Sequence, residues 1–242
     1  MISVDKAAIL PDNTPFVDGV VVPFALEAAI CALSIKEPGT AFPGVPTPAL
    51  NLPYPTLEDP TPSINKTIVI YGGSTSSGSM TTQIATNSGI KVVSIVGRKN
   101  FDFSKKCGAV EVFDYKDPDV VEKVIKAVTD LGGEFVGIFD TISTPATHVH
   151  DLAILERLGG GHLACTHFPP TDAPENVKGG MIFAVNDVAG PVWRDYVGPA
   201  LEAGKIQCLP PPNVIGTGLQ YIQEGLNTIK AGVSAAKLVI AL

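Results

Sequence analysis

The distribution of apolar residues changes character near residue 64. From Lys66 onward, short apolar runs rich in β-branched residues alternate with segments of helical periodicity. The runs are apolar on both faces, which is typical of strands in a parallel sheet covered by helices on both sides. The pattern therefore predicts an α/β fold with a doubly wound, Rossmann-like parallel sheet.

The predicted strands are Thr67–Tyr71, Lys91–Val96, Glu111–Asp114, Phe135–Phe139, Gly161–Thr166, Met181–Val185 and Lys237–Leu242. The predicted helices are Ser79–Asn87, Phe101–Lys106, Asp119–Leu131, Pro145–Arg157, Pro191–Ala203 and Leu219–Lys230. Strand and helix thus alternate through most of this region, as βαβ units require.

The front of the chain follows a different pattern. It contains one predicted helix, Pro23–Ile35, followed by eight prolines between residues 38 and 63. Prolines at that density exclude a helix and a ladder-forming strand, so an extended connector is expected there. We accordingly divide the chain into an N-terminal helical arm with its connector (1–63), a dinucleotide-binding domain (64–205) and a C-terminal helix–strand unit packing beside it (206–242).

Composition narrows the possible partners. Apolar residues make up 45% of the chain and charged residues only 17%, with a net charge of −7. The negative charge argues against non-specific nucleic-acid binding. The low charge content predicts that a homodimer or a partner enzyme covers part of the surface.

The chain also lacks the usual signs of export or membrane insertion. Its four cysteines form no CxxC pair and are expected to be reduced. No signal peptide opens the chain, and no apolar run reaches the roughly 20 residues of a membrane helix. These features predict a cytoplasmic protein with no membrane partner.

The candidate chemistry begins directly after the first predicted strand. The turn Gly72-Gly73-Ser74-Thr75-Ser76-Ser77-Gly78 contains only small residues and leads into a helix. Small residues let the backbone approach a pyrophosphate, and the first helical N–H groups supply donors. The turn departs from strict G-x-G-x-x-G spacing, so the alternative is a tight strand–helix turn without a ligand.

The end of the second strand bears on which nucleotide would bind. A ribose 2′-hydroxyl is normally held there by an acidic residue, but this strand ends in Gly97-Arg98-Lys99-Asn100. Two cations suit a 2′-phosphate, which favours NADP(H) over NAD(H). The alternative is a solvated loop with incidental charges.

Two further positions lie at the expected ligand-binding edge. Tyr115 follows the third strand and could contact the adenine or the 2′-phosphate. The segment Asp140-Thr141-Ile142-Ser143 ends the fourth strand and could border a nicotinamide, although Ser143-Thr144-Pro145 is also good helix-capping sequence.

Other catalytic signatures are missing from the sequence. His148 and His150 are two residues apart on a helix and cannot face one metal together. No group of residues has zinc-site spacing, so no metal is expected, and G-x-S-x-G is absent. Tyr71 and Tyr196 are possible proton donors, but nothing in the sequence positions them, and the catalytic residues remain unknown.

The chain resembles the medium-chain dehydrogenase/reductase superfamily. Within it, the chain is most similar to the zinc-free fungal enoyl reductases that act in trans with polyketide synthases, of the lovastatin-pathway type. The segments that carry the resemblance run in family order over nearly the whole chain; they are Ile9–Asn13, Gly72–Gly78, Lys99–Phe101, Phe113–Val120, Asp140–Ser143 and Gly232–Val239.

The resemblance implies specific contacts to NADP(H). Thr75, Ser76, Ser77 and Gly78 would hold the pyrophosphate. Lys99 and Tyr115, assisted by Arg98, would contact the 2′-phosphate, and Ile142 and Ser143 would lie beside the nicotinamide.

The sequence departs from the family pattern in three places. Ser77 stands where valine is usual, and Gly97-Arg98 replaces the usual Ser-Pro. Family members open with a GroES-like domain that supplies one wall of the substrate cleft. The present chain begins near the end of that domain, so it is expected to lack a complete one.

Three functions are consistent with these observations. The first is an NADPH-dependent, enoyl reductase-like oxidoreductase that acts on an α,β-unsaturated carbonyl of a small polyketide-like metabolite. The second is a non-redox isomerase or cyclase of secondary metabolism on the same scaffold. The third is a non-catalytic, vestigial protein, since a fold alone does not determine function.

Overall fold

The computed structural model describes residues 4–242. Its centre is a six-stranded, fully parallel sheet with the strand order β5-β4-β3-β6-β7-β8. The strands are β3 (Lys66–Tyr71), β4 (Ile90–Val96), β5 (Glu111–Asp114), β6 (Glu134–Asp140), β7 (Gly161–Cys165) and β8 (Val177–Met181). This sheet confirms the predicted Rossmann-like α/β class.

Helices cover both faces of the sheet. They are α1 (Phe16–Gly19), α2 (Val22–Ser34), α3 (Ser76–Asn87), α4 (Phe101–Lys106), α5 (Val120–Leu131), α6 (Pro145–Arg157), α7 (Gly190–Val192) and α8 (Gly198–Glu202). A π-helical segment, Trp193–Val197, joins α7 to α8. One hydrophobic core contains α2 and α3, and the opposite core contains α5 and α6.

The strand order reverses at β3. The chain first runs outward to β4 and β5 and then returns to place β6 on the other side of β3. In the register of the sheet, Tyr71 at the end of β3 lies between Ile95 and Asp140. Ligands of open α/β sheets bind in the crevice at such a reversal, outside the carboxyl ends of the strands.

Helix α2 is part of the main core. Together with α1 it forms a segment, Phe16–Ser34, that is long and apolar enough to cross a membrane by length and composition alone. In the fold, 61% of that segment is buried, and α2 packs along α3. Packing against the protein interior therefore accounts for its apolar character.

Three local predictions are wrong. The proline-rich connector contains a short antiparallel hairpin of β1 (Thr40–Phe42) and β2 (Val45–Pro46). The hairpin tolerates Pro46 because this residue lies at the end of a two-residue strand. The edge strand β8 ends at Met181, where the sequence pattern predicts a strand to begin. Helix α3 starts at Ser76, three residues earlier than predicted, because Thr75 caps it.

The C-terminal residues form a small unit of their own. Strands β9 (Pro212–Thr217) and β10 (Lys237–Ala241) pair in parallel, and α9 (Ile222–Ala231) connects them. The sequence pattern predicts α9 and β10 but misses β9, whose Pro212 and Gly216 weaken the strand signal.

Candidate functional site

A cavity of about 760 Å³ opens at the reversal of the strand order. It lies over the carboxyl ends of β3, β4 and β6 and is closed on one side by the segment before β10. The residues that line it include the glycine turn, the end of β4, the start of α6 and that C-terminal segment; the predicted site residues among them are Thr75, Lys99, Tyr115 and Ile142.

The glycine turn packs too tightly for larger residues. A Cβ atom on Gly73 would lie 2.1 Å from the Ser94 hydroxyl oxygen, and one on Gly78 would lie 2.3 Å from the Gly72 carbonyl oxygen. Gly72 itself has a φ of 78°, in the left-handed region that favours glycine. The absence of side chains thus brings the backbone of the turn against the sheet and the first turn of α3.

The start of α3 is partly capped from within the protein. The Thr75 hydroxyl accepts a hydrogen bond from the Gly78 amide at 3.0 Å and lies 2.9 Å from the Thr141 hydroxyl. The Gly78 amide is therefore already bonded. The amides of Ser76 and Ser77 lie in the first turn, where a helix offers no partner of its own.

A lysine from the C-terminal unit reaches the same helix start. The Lys237 ammonium donates a hydrogen bond to the Ser76 hydroxyl at 3.0 Å and lies 5.6 Å from the centre of the Phe24 ring. Partial burial lowers its pKa. The positive end of the α3 dipole and a desolvated cation therefore lie side by side, an arrangement that a bound anion would stabilise.

The end of β4 presents one cation to the cavity and turns the other away. Lys99 and Tyr115 line the cavity. Arg98 has a largely exposed side chain that lies 3.6 Å from the Asp114 carboxylate. Within residues 4–242, no acidic side chain lines the cavity.

The two predicted nicotinamide neighbours point in different directions. Ile142 lines the cavity, whereas Ser143 lines a neighbouring surface groove. The Ser143 hydroxyl donates a hydrogen bond to the Asp140 carbonyl and accepts one from the Thr166 amide, both at 2.8 Å. Its side chain therefore braces the loop after β6.

The two candidate proton donors are separated by the fold. The Tyr71 hydroxyl lies 3.0 Å from His150 Nδ1, and both residues line the cavity. Tyr196 is buried in the core around α2. Burial, followed by the nearby carboxyl groups of Asp151 and Asp140, raises the pKa of Tyr71.

Sequence reasoning missed two residues of the site. The Asn100 amide group donates hydrogen bonds to the hydroxyls of Ser74 at 3.0 Å and Ser234 at 3.1 Å, which ties the glycine turn to the C-terminal segment. Lys237 is the other. Both act through contacts between distant parts of the chain, so no local spacing could indicate them.

No family model matches the chain, but individual proteins do. Dehydrogenase orsE of Emericella nidulans is 64% identical over 242 residues, covering 100% of this chain and 70% of that protein. Trans-enoyl reductase himH of Aspergillus japonicus is 33% identical over 241 residues, covering 97% of this chain and 65% of that protein. The chain thus spans about two thirds of the length of these relatives.

A solved structure agrees in fold. The structure of mycobacterial Rv1454c complexed with NADPH superimposes with a TM-score of 0.64 at 17% identity, covering 96% of this chain and 68% of that one. Fold and cavity together define a Rossmann-like α/β protein. The chain belongs to the medium-chain dehydrogenase/reductase superfamily, among the fungal trans-enoyl reductases and dehydrogenases. The predicted family is thereby confirmed.

Proposed function

We propose that the protein is an NADPH-dependent oxidoreductase of the enoyl reductase type that acts on an α,β-unsaturated carbonyl of a polyketide-like metabolite. The observation that carries this proposal is the cavity at the strand reversal, which has a lysine on its wall and no acidic side chain among the described residues. An acid-free wall beside Lys99 suits a 2′-phosphate better than a free ribose hydroxyl.

The start of α3, whose N-cap Thr75 lines the cavity, also fits the cofactor. The amides of Ser76 and Ser77 and the Lys237 ammonium gather at the start of α3, where a pyrophosphate would offset their positive charge. In this proposal Lys237 joins the contacts predicted for Thr75, Ser76, Ser77 and Gly78. Thr75 would act through the cap that it places on Gly78.

The relatives support the reaction class. The protein himH carries the name trans-enoyl reductase, and the mycobacterial structure holds NADPH. Because the chain spans about two thirds of its relatives' length, the activity remains a proposal for this chain.

In the proposed reaction, bound NADPH supplies a hydride to the β-carbon of the substrate. The residues of the chain orient the cofactor: Lys99 and Tyr115 hold the 2′-phosphate, and Ile142 and the loop braced by Ser143 border the nicotinamide. Arg98, which lies beside the Asp114 carboxylate outside the cavity, would have to turn inward to assist in holding the 2′-phosphate. Tyr71 carries its proton at neutral pH, as an ordinary tyrosine does, and burial raises its pKa further.

Titration of the purified protein with NADPH tests the proposal. We expect enhanced NADPH fluorescence and a higher melting temperature, with a much smaller response to NADH. Consumption of NADPH with an enoyl thioester would then establish the reaction. If neither nucleotide binds, the redox proposal fails and the non-redox isomerase or cyclase becomes the better explanation.

The variant Lys99→Ala tests the assignment of the 2′-phosphate site. Charge-assisted hydrogen bonds contribute about 1.5–3 kcal/mol, so we expect NADPH binding to weaken by roughly 10- to 100-fold and NADH binding to change little. Fluorescence titration with both nucleotides measures the difference. The matched control is Lys105→Ala, because Lys105 is an exposed lysine of α4 that lies outside the cavity. Equal losses for the two nucleotides would contradict the assignment.

A further inference from the structure

Four residues with metal-binding side chains meet beneath the loop that follows β6. Asp140 ends β6 and Cys165 ends β7, and the register of the sheet pairs the two positions directly. His148 and Asp151 are three residues apart on α6, so they share one face of that helix. Adjacent residues of paired parallel strands point to the same side of a sheet, and α6 covers that side.

The side chains approach one another closely. One ligand atom each from Asp140, His148 and Asp151 lies within 4.8 Å of the other two. His148 Nε2 is 3.9 Å from the Asp140 carboxylate and 3.9 Å from Cys165 Sγ. His150, two residues along the helix, instead contacts Tyr71, as expected from helix geometry.

The cluster is buried, and the Asp151 carboxyl lacks a hydrogen-bond donor among the described residues. Asp140, Asp151 and Cys165 are fully buried, and His148 is 9% exposed. Asp140 accepts hydrogen bonds from the Ile142 amide and the Thr147 hydroxyl. In the part of the chain that the structure describes, neither carboxyl oxygen of Asp151 has a hydrogen-bond donor, and the polar groups near it include the Asp140 carboxyl and the His148 ring.

Two facing carboxyl groups in the protein interior cannot both stay ionised without a compensating proton or cation. An unpaired buried carboxylate is strongly unfavourable, and two of them also repel each other. A shared proton or a shared cation would remove this cost. The nearby His148 imidazole favours a cation, because nitrogen and carboxylate oxygens are ligand types of zinc sites.

We propose that Asp140, His148 and Asp151 bind one Zn²⁺ ion, or a divalent metal of the same ligand preference, as a structural site. The ion would join β6 to α6 behind the nucleotide cavity. Thr147 and the Ile142 amide hold the Asp140 carboxylate in place, as outer-shell partners of metal ligands do. His148 borders a surface groove of about 490 Å³, which gives the ion an access route.

Metal analysis and thermal unfolding of the full chain test this site. The protein is stripped with a chelator and then titrated separately with Zn²⁺, Mg²⁺ and Ca²⁺. We expect one equivalent of bound zinc. At a free zinc concentration about one hundred times the Kd, the melting temperature should be about 5–10 °C higher than without zinc. Mg²⁺ and Ca²⁺ should have little effect. No change with zinc in the wild-type protein would overturn the proposal.

Variants distinguish zinc bound at this site from zinc bound at the surface and from a proton shared by the two carboxyl groups. Asp151→Asn should lose the zinc equivalent and the thermal shift, whereas His167→Gln, an exposed histidine of the same groove, should keep both. Retained zinc in Asp151→Asn would overturn the proposal. So would an Asp151→Asn variant that equals or exceeds the wild-type melting temperature in zinc, because that result indicates a shared proton.

Cobalt substitution provides a readout that does not require Asp151→Asn to fold. Co²⁺ in the wild-type site should give the visible absorption of a tetrahedral centre. Cys165→Ser should retain this absorption, because Cys165 is not one of the three proposed ligands. Absence of tetrahedral absorption in the wild-type protein would contradict the site.

Discussion

The variant Gly78→Ala is expected to weaken NADPH binding by roughly 10- to 100-fold. The new Cβ would lie 2.3 Å from the Gly72 carbonyl oxygen and 2.8 Å from the Gly73 Cα, so the backbone of the glycine turn has to move. Overpacking of this kind costs about 1–3 kcal/mol, and the bound cofactor requires the undistorted turn. Fluorescence titration with NADPH measures the loss, and circular dichroism checks that the variant folds.

The matched control for this change is Gly190→Ala. Gly190 also lies at the start of a helix, but its added Cβ would be 3.7 Å from the Asp5 carbonyl oxygen, which is ordinary van der Waals contact. We expect wild-type NADPH binding from this control. A folded Gly78→Ala protein with wild-type affinity would show that the close packing of the turn does not matter for the cofactor.

The order of elements could be predicted because the central strands are buried on both faces. A strand such as Val92–Val96 is apolar at every position but Ser94, and Ser94 is satisfied within the core by the Ser104 hydroxyl at 2.7 Å. Such segments carry a strong local signal. The edge strand β8 contains two adjacent glycines, so its local signal is weak, and the prediction placed the strand four residues too late.

The site residues could be predicted only where their positions follow from the order of strands along the sequence. Thr75, Lys99, Tyr115 and Ile142 line the cavity because each lies at the end of a predicted strand or in the turn after it. Lys237 reaches the start of α3 because the C-terminal unit packs there, and no local sequence pattern encodes such a contact. The same limit applies to the proposed metal site, where the end of a strand and one face of a helix bring the residues together.

The spacing rules used for metal sites explain why that cluster was missed. They look for closely spaced ligands along the chain, such as two cysteines separated by two residues. Here only His148 and Asp151 are close in sequence. Asp140 ends β6, eight positions before His148, and it meets the two α6 residues only because α6 packs against the sheet.

Helix α2 provides the test of whether the N-terminal arm is part of the same cooperative unit as the sheet. Leu26 of α2 is fully buried in the core that also holds α3 and the central strands. We expect Leu26→Ala to lower the free energy of unfolding by about 2–5 kcal/mol, through the lost burial and the cavity that remains. Leu226→Ala on the exposed face of α9 is the matched control. It should change the free energy of unfolding by less than about 0.5 kcal/mol.

Two optical probes make this prediction specific. The single tryptophan, Trp193, donates a hydrogen bond from its indole nitrogen to Glu27 of α2 at 2.7 Å, so its fluorescence reports on the arm. Far-ultraviolet circular dichroism reports on the whole sheet. In urea, Leu26→Ala should shift both transitions together to lower denaturant, because α2 shares its core with the sheet. If only the fluorescence transition moves, the arm unfolds independently and the buried contacts of α2 do not stabilise the sheet.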